Sequence, residues 1–174
     1  MDAVKRILLL RHGKSDWDAG HQTDHDRPLN SRGEAAARLM GRFLAEIDEL
    51  PGLVVSSSAV RALTTARLAA DAGRWGSEVR VAPGLYDASP AAVLEEIQAV
   101  DDGVDTVLLA GHEPTFSQLA GTLVGAAAIR LPTAALACID VPRSRWRAVE
   151  LGTGTLIWLV TPKLLAKAGF RDSD

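Results

Sequence analysis

The chain is poor in the features that would mark it for an oxidising compartment, a membrane or a nucleic acid. It holds a single cysteine, Cys138, among 174 residues, so no internal disulfide can staple the fold and a reducing compartment suits it. No stretch approaches the ~20 consecutive apolar residues of a membrane span. Lys5 and Arg6 are followed by only four apolar residues before Arg11, too few for the apolar core of a secretory leader. A surplus of positive charge is missing as well: 19 Lys and Arg face 22 Asp and Glu, a net charge of −3. No global field therefore recruits nucleic acid or anionic lipid, and any anion site must be a local concentration of basic groups. Internal repeats, low-complexity tracts and linkers are absent too. These absences lead to the expectation of one cytoplasmic domain, residues 1–174, with neither a membrane nor a nucleic-acid partner.

What is present is ordinary globular material, 47% hydrophobic and 24% charged, enough for one core. Ile7–Leu10 reads as a buried strand, continuous and apolar rather than alternating. Ser31 with Glu34 has capping-box spacing, and Ala36, Leu39, Met40, Phe43, Leu44 and Ile47 then mark one apolar helix face ending before Pro51. Leu53–Val55 is a second strand. Ser58–Ala72 reads as a helix that buries Leu63 and Leu68 and stops at Gly73. A third strand around Val79 and Val81 precedes a helix opened by Ser89 and Pro90. Thr106–Ala110 is a further apolar strand, with Pro114 opening the next helix. Two more strands, Leu136–Val141 and Thr155–Val160, come without a full helix between them, and a short helix follows Pro162. Such alternation predicts an α/β domain whose sheet is largely parallel, with an antiparallel part late in the chain.

Two phosphate chemistries can be written on "LLLRHGKSDW", Leu8 to Trp17. Gly13-Lys14-Ser15 ends like a nucleotide-binding P-loop, but the glycine required five residues earlier falls on Leu8, inside the strand. The P-loop reading fails on spacing. Arg11 and His12 lie just past the first strand, Arg61 in the first turn of the helix after "LVVSSS", and His112 just past "TVLLAG". Ligands of parallel sheets sit beyond the carboxyl ends of the strands, so three strands each deliver a basic group to one edge. A neutral imidazole is a competent nucleophile, and two guanidiniums can clamp phosphoryl oxygens. A second histidine can neutralise developing charge.

Together "RHGKSDW", "DRPLNSRGEAAA", "SSSAVRALTTA" and "AGHEPT" resemble the histidine phosphatase superfamily, and the short chain with its "KSDW…DRPLN" wording most resembles the small SixA-like phosphohistidine phosphatase branch. The resemblance implies a phosphoglycerate mutase-like fold, a three-layer α/β/α sandwich around a largely parallel sheet. It also implies a phosphatase with no cofactor or metal. His12 would become phosphorylated while Arg11, Arg61 and His112 hold the phosphoryl group. Its substrate would be a phosphorylated small molecule, a nucleotide included, or a phosphohistidine-bearing protein. A non-catalytic module that captures phospho-ligands is the rival from another class.

Around this quartet the assignments thin out. Gly13 and Ser15 are candidates to contact the phosphoryl group, though Ser15 could equally close the turn. Asp87, in "LYDASP", stands where the mutase and sugar-phosphatase branches carry a glutamate resembling the proton donor; it could also merely turn the chain. Glu113 is a second acid candidate, at a position where the SixA-like pattern more often has an amide or small residue. Trp17 reads as packing rather than as a stacking platform. His21 and His25 with Asp24 and Asp26 invite a metal reading, but a loop before Pro28 is a poor metal frame, and Asp26 reads as a tie for that loop. Cys138 lacks the arginine that a cysteine phosphatase needs six positions on, where Ser144 stands, so it is a core thiol. A neutral His12, oriented by a backbone hydrogen bond, predicts activity that falls at acid pH, with a rate flat down to pH 4 contradicting it.

Overall fold

The computed structural model describes residues 3–170. In chain order it contains β1 (Lys5–Arg11), α1 (Ser31–Glu46), β2 (Leu53–Ser57), α2 (Val60–Ala72), β3 (Glu78–Ala82) and α3 (Pro90–Gln98). These are followed by β4 (Thr106–Gly111), α4 (Thr115–Leu123), β5 (Leu136–Val141), β6 (Thr155–Val160) and α5 (Pro162–Lys167). The strands form one sheet in the order β3-β2-β4-β1-β5-β6. β3, β2, β4 and β1 run parallel, whereas β5 pairs antiparallel with both β1 and β6.

The continuous apolar character of β1 and β4 follows from this position. Both are central strands with helices over each face, so neither side of the strand can be polar. Ile7, Leu9, Val107 and Leu109 point into a core closed by Val93 and Ile97 of α3, Phe116 and Leu119 of α4, and Trp146. Leu8, Leu10 and Leu108 point the other way, onto Met40 and Leu44 of α1, Ala66 and Ala69 of α2, and Leu165 of α5. The result is an α/β/α sandwich, with α1, α2 and α5 on one face and α3 and α4 on the other. No helix among the described residues is long and apolar enough to cross a membrane.

Two local expectations are corrected. The N-cap of α1 is Asn30, not Ser31: Asn30 is extended and its side chain accepts the Gly33 amide at 2.9 Å. Its own amide donates to the Lys14 carbonyl, which ties the start of the helix to the loop after β1. In α2, Leu63 and Leu68 are only half-buried, and the buried face is Arg61, Ala62, Thr65, Ala66 and Ala69. The reason is the approach of α1, whose Gly41 presses on the Ala69 backbone so closely that a Cβ there would collide with its carbonyl. Small residues win that interface because helix backbones in contact leave no room for leucine.

Candidate active site

β1 and β4 lie side by side in a register that pairs Arg11 with Gly111. The next residue of each strand is a histidine, so a sequence separation of one hundred positions collapses to a ring contact. The centroids of His12 and His112 are 5.3 Å apart, and the His12 amide donates to the Gly111 carbonyl at 3.0 Å. Beyond β1 the chain moves to α1 on one face of the sheet; beyond β4 it moves to α4 on the other. That divergence opens the crevice in which doubly wound sheets bind ligands. The crevice encloses about 470 Å³, and Arg11, His12, Ser15, Arg61, Asp87, His112 and Glu113 all line it. Gly13 does not line it: its carbonyl and amide are turned to His12 and Thr65.

His12 is buried, with 8% of its surface exposed. Its Nδ1 lies 2.7 Å from the Gly13 carbonyl. A carbonyl can only accept, so Nδ1 carries the proton and Nε2 keeps its lone pair. Gly13 is held in turn by its amide, which donates to Thr65 Oγ1 at 3.0 Å, while the Thr65 hydroxyl donates to the Arg61 carbonyl one helical turn back. Glycine is required here by close approach: a Cβ on Gly13 would sit 2.6 Å from the Gly33 carbonyl oxygen. Burial pushes the His12 pKa down to about 3; the Gly13 hydrogen bond opposes this, and His112, Arg61 and Arg11 add to it by repulsion. His112, 2.8 Å from the Ser57 hydroxyl through Nε2, is lowered to about 4, again chiefly by burial and then by Arg61. Both imidazoles are therefore neutral around pH 7.

The two arginines expected to clamp phosphate are anchored at one end and unsatisfied at the other. Arg11 donates from Nη1 to the Leu131 carbonyl at 2.9 Å. Arg61 donates from Nη1 to the Asp24 carbonyl at 2.6 Å and from Nη2 to the Asp24 carboxylate at 2.9 Å. The Nε groups of both arginines are buried without a hydrogen-bond partner. Buried charged donors in that state are costly, and an incoming oxyanion is the kind of group that would relieve them.

Sequence reasoning missed Arg27, Tyr86 and Thr65, and considered Asp24 only for a metal reading that it set aside. Arg27 is buried, donates to the Ser15 hydroxyl, and pairs with Asp24 at 2.9 Å. The Asp24 carboxylate also accepts from the Tyr86 hydroxyl at 3.1 Å. Burial opposes its ionisation, but the hydrogen bonds and charges of Arg27 and Arg61 prevail and hold it near 2. Asp24, not Asp26, is thus the tie of this loop to the rest of the site; Asp26 meets only its near neighbours in the chain, Thr23 and His25. The spacing of Asp24 three residues before Arg27 was a usable signal, since a single turn brings such a pair together. Nothing in the sequence linked either residue to Arg61.

Asp87 adopts a left-handed backbone, φ 53°, a conformation that Asp tolerates better than most residues. It therefore turns the chain and lines the crevice at once. The Glu113 carboxylate accepts the Ser117 amide at 3.0 Å and so caps the first turn of α4. Trp17 departs from expectation: it is 71% exposed and covers the Arg27 guanidinium, 3.6 Å from ring centroid to cation, because its loop lies outside both cores. His21 contacts the Ala19 carbonyl and His25 the Ser58 hydroxyl. Among the described residues no group of three or more His, Cys, Asp or Glu is arranged to hold a metal ion. Cys138 is buried in β5, and burial raises its thiol to about 12.

Comparison with known proteins bears on this geometry. Residues 7–90 match the model of the histidine phosphatase superfamily (branch 1). An uncharacterized protein of Mycobacterium tuberculosis is 38% identical over 165 residues, covering 88% of this chain and all of that one. A 2,3-bisphosphoglycerate-dependent phosphoglycerate mutase of Corynebacterium glutamicum is 42% identical over 69 residues, 38% of this chain and 28% of the mutase. The solved structure of the protein histidine phosphatase SixA complexed with tungstate superimposes with a TM-score of 0.78 at 29% identity, over 92% of this chain and 99% of that one. Nearly full-length likeness to a SixA protein, against a partial match to a mutase, decides the branch. The chain belongs to the histidine phosphatase superfamily, within its SixA-like branch.

Proposed function

We propose that this protein is a phosphatase that needs no metal and passes a phosphoryl group from a phosphate monoester or a phosphohistidine to His12, and from there to water. The observation that carries the reading is the state of His12: buried, neutral, with Nδ1 bound to a carbonyl, and set among two guanidiniums that each hold an unsatisfied Nε. That the SixA protein was solved as a complex with tungstate, a tetrahedral oxyanion, supports oxyanion binding by this fold.

In the first step Nε2 of His12 attacks phosphorus as the bond to the leaving group breaks. Arg11, Arg61 and His112 take up the charge on the phosphoryl oxygens. An alkoxide leaving group requires a proton, and Asp87 supplies it in this reading, since Glu113 is engaged in capping α4 and Asp87 makes no hydrogen bond among the described residues. In the second step water attacks the phosphohistidine, gives its proton to Asp87, and releases phosphate. Ser15, its oxygen occupied by Arg27, has its own hydroxyl proton left for a phosphoryl oxygen.

The test is hydrolysis of 4-nitrophenyl phosphate in excess chelator, wild type beside His12→Ala. Activity that survives the chelator and disappears in the variant is the expected result. Activity lost to chelator yet retained by His12→Ala would overturn the mechanism. Tight phosphate binding without turnover in either protein would favour a phospho-ligand binding module.

A further inference from the structure

Beside the catalytic crevice lies a larger groove of about 830 Å³, and Lys14 and Thr133 line both. One wall is α1, whose Arg32, Ala35, Ala36 and Leu39 fall on a single helical face. The opposite wall is α5 with Lys163, Ala166 and, just beyond the helix, Phe170. The floor is apolar. Its charges are all of one sign: Lys14, Arg32 and Lys163 line the groove and no Asp or Glu does, in a chain whose net charge is −3. None of the three cations is engaged in an ion pair among the described residues. By contrast the adjoining crevice carries Asp24, Asp87 and Glu113 along with its basic groups.

An apolar trough rimmed by unpaired cations fits a ligand that is itself apolar and anionic. Its volume falls in the ~300–1,000 Å³ range of small-molecule sites, and its continuity with the crevice means that one molecule can occupy both. We propose that the groove is a subsite for the leaving group, and that the substrate is an amphiphilic organic phosphate monoester carrying a second negative charge. Its phosphate enters the crevice at His12, its apolar body lies over Ala35, Leu39 and Phe170, and its distal anion meets Arg32 and Lys163. The reaction is the one already described: the bond from His12 to phosphorus forms, the ester P–O bond breaks, the leaving oxygen takes the proton of Asp87, and the neutral alcohol leaves along the groove. This inference rests on the phosphatase reading.

The experiment compares kcat/KM for 4-nitrophenyl phosphate with that for phenyl phosphates bearing para ω-carboxyalkyl chains of increasing length, and the same chains ending in an amide. Two variants are carried alongside: Lys163→Glu, which places an acid in the first turn of α5 where the helix dipole tolerates it, and Ala35→Trp, which fills the groove from an exposed position on α1. Once the chain is long enough to reach the groove, the carboxylate series should gain at least about tenfold over its own shortest member, whose leaving phenol has the same basicity, because a few buried methylenes and one ion pair exceed the ~1.4 kcal/mol that tenfold represents. The amide series should gain less. Both variants should remove the gain and leave 4-nitrophenyl phosphate hydrolysis within about twofold of wild type. A wild-type enzyme that hydrolyses short and long members of the carboxyalkyl series alike would overturn the subsite while leaving the phosphatase intact, and so would a gain that ignores both variants. Phosphohistidine peptide cleavage that is sensitive to Lys163→Glu, without any gain along the carboxyalkyl series, would assign the groove to a polypeptide and overturn it too. Failure to hydrolyse 4-nitrophenyl phosphate at all would instead remove the phosphatase reading on which the subsite rests.

Discussion

The catalytic crevice and the groove beside it share two residues and little else. The crevice is built at strand ends, where the β1 and β4 backbones are locked by register, and several of its polar groups have an assigned neighbour: Asp24 between Arg27 and Arg61, Glu113 on the Ser117 amide, His12 on Gly13. The groove is built from the outer faces of α1 and α5, with cations that no described residue pairs, around alanine, leucine and phenylalanine. Groups whose geometry must hold within tenths of an ångström belong on the rigid layer, and recognition that tolerates sliding belongs on helix surfaces. The contrast makes a prediction in itself. Substitutions in the crevice should act on every substrate, and substitutions in the groove only on substrates large enough to reach it.

The largest break is His12→Ala. Removing the proposed nucleophile should lower kcat for any phosphate ester by about 10⁴-fold or more, while isothermal titration still detects tungstate binding through Arg11 and Arg61. Next comes Asp87→Asn, which separates substrates by leaving group rather than by size. Alkyl phosphates, which need the proton, should lose about 10²-fold or more in kcat, and 4-nitrophenyl phosphate should lose less than about threefold. Equal losses for both would show that Asp87 serves the turn and not the proton.

Asp24→Asn should have a smaller effect. Asparagine can still accept one bond but no longer matches two guanidiniums, so Arg61 loses part of its anchor. The expected result is a rise in KM of about tenfold with a smaller change in kcat, in line with the ~1.5–3 kcal/mol of a charge-assisted hydrogen bond. Asp24→Ala should be worse than Asp24→Asn; a variant with tighter phosphate binding would show instead that the carboxylate competes with substrate.

The pH response is the smallest effect and corrects the expectation drawn from sequence. Because burial holds His12 near 3 and His112 near 4, the acid limb of kcat/KM, after allowance for the substrate's own ionisation, should lie between about 3 and 4 rather than near 6.5. A rate flat down to pH 4 therefore agrees with a neutral nucleophile. Stability runs the other way. The unfolded chain binds a proton at His12 below the ordinary imidazole pKa and the folded chain does not, so His12 stabilises the fold fully above about pH 6.5. That contribution is lost at up to about 1.4 kcal/mol per pH unit as pH falls toward 3. Urea midpoints should decline over that window, and less steeply in His12→Asn.

Much of this was legible in one dimension because it depends on local rules. The apolar runs of β1 and β4, the Ser89-Pro90 start of α3, the stop at Gly73 and the change to antiparallel pairing late in the chain each rest on residues within a few positions of one another. The convergence of Arg11, His12, Arg61 and His112 on one crevice was legible as well, since each member follows a recognisable strand. Less legible was whatever depended on which surfaces meet. Leu63 and Leu68 look like the buried face of α2, but the approach of α1 at Gly41 gave that face to alanines. Trp17 looks like core, yet its loop lies outside both cores and its ring covers Arg27.

By itself, then, the sequence determined the order of elements, their apolar faces and the basic residues placed at the strand ends, because hydrophobic period and chain direction act over a few residues. The tertiary structure alone decided the register that sets His12 against His112, the burial that keeps both neutral, the grip of Asp24 on Arg61, and the groove shared by α1 and α5. Desolvation and charge pairing depend on distance in space, and residues far apart along the chain become neighbours only when the sheet closes them together.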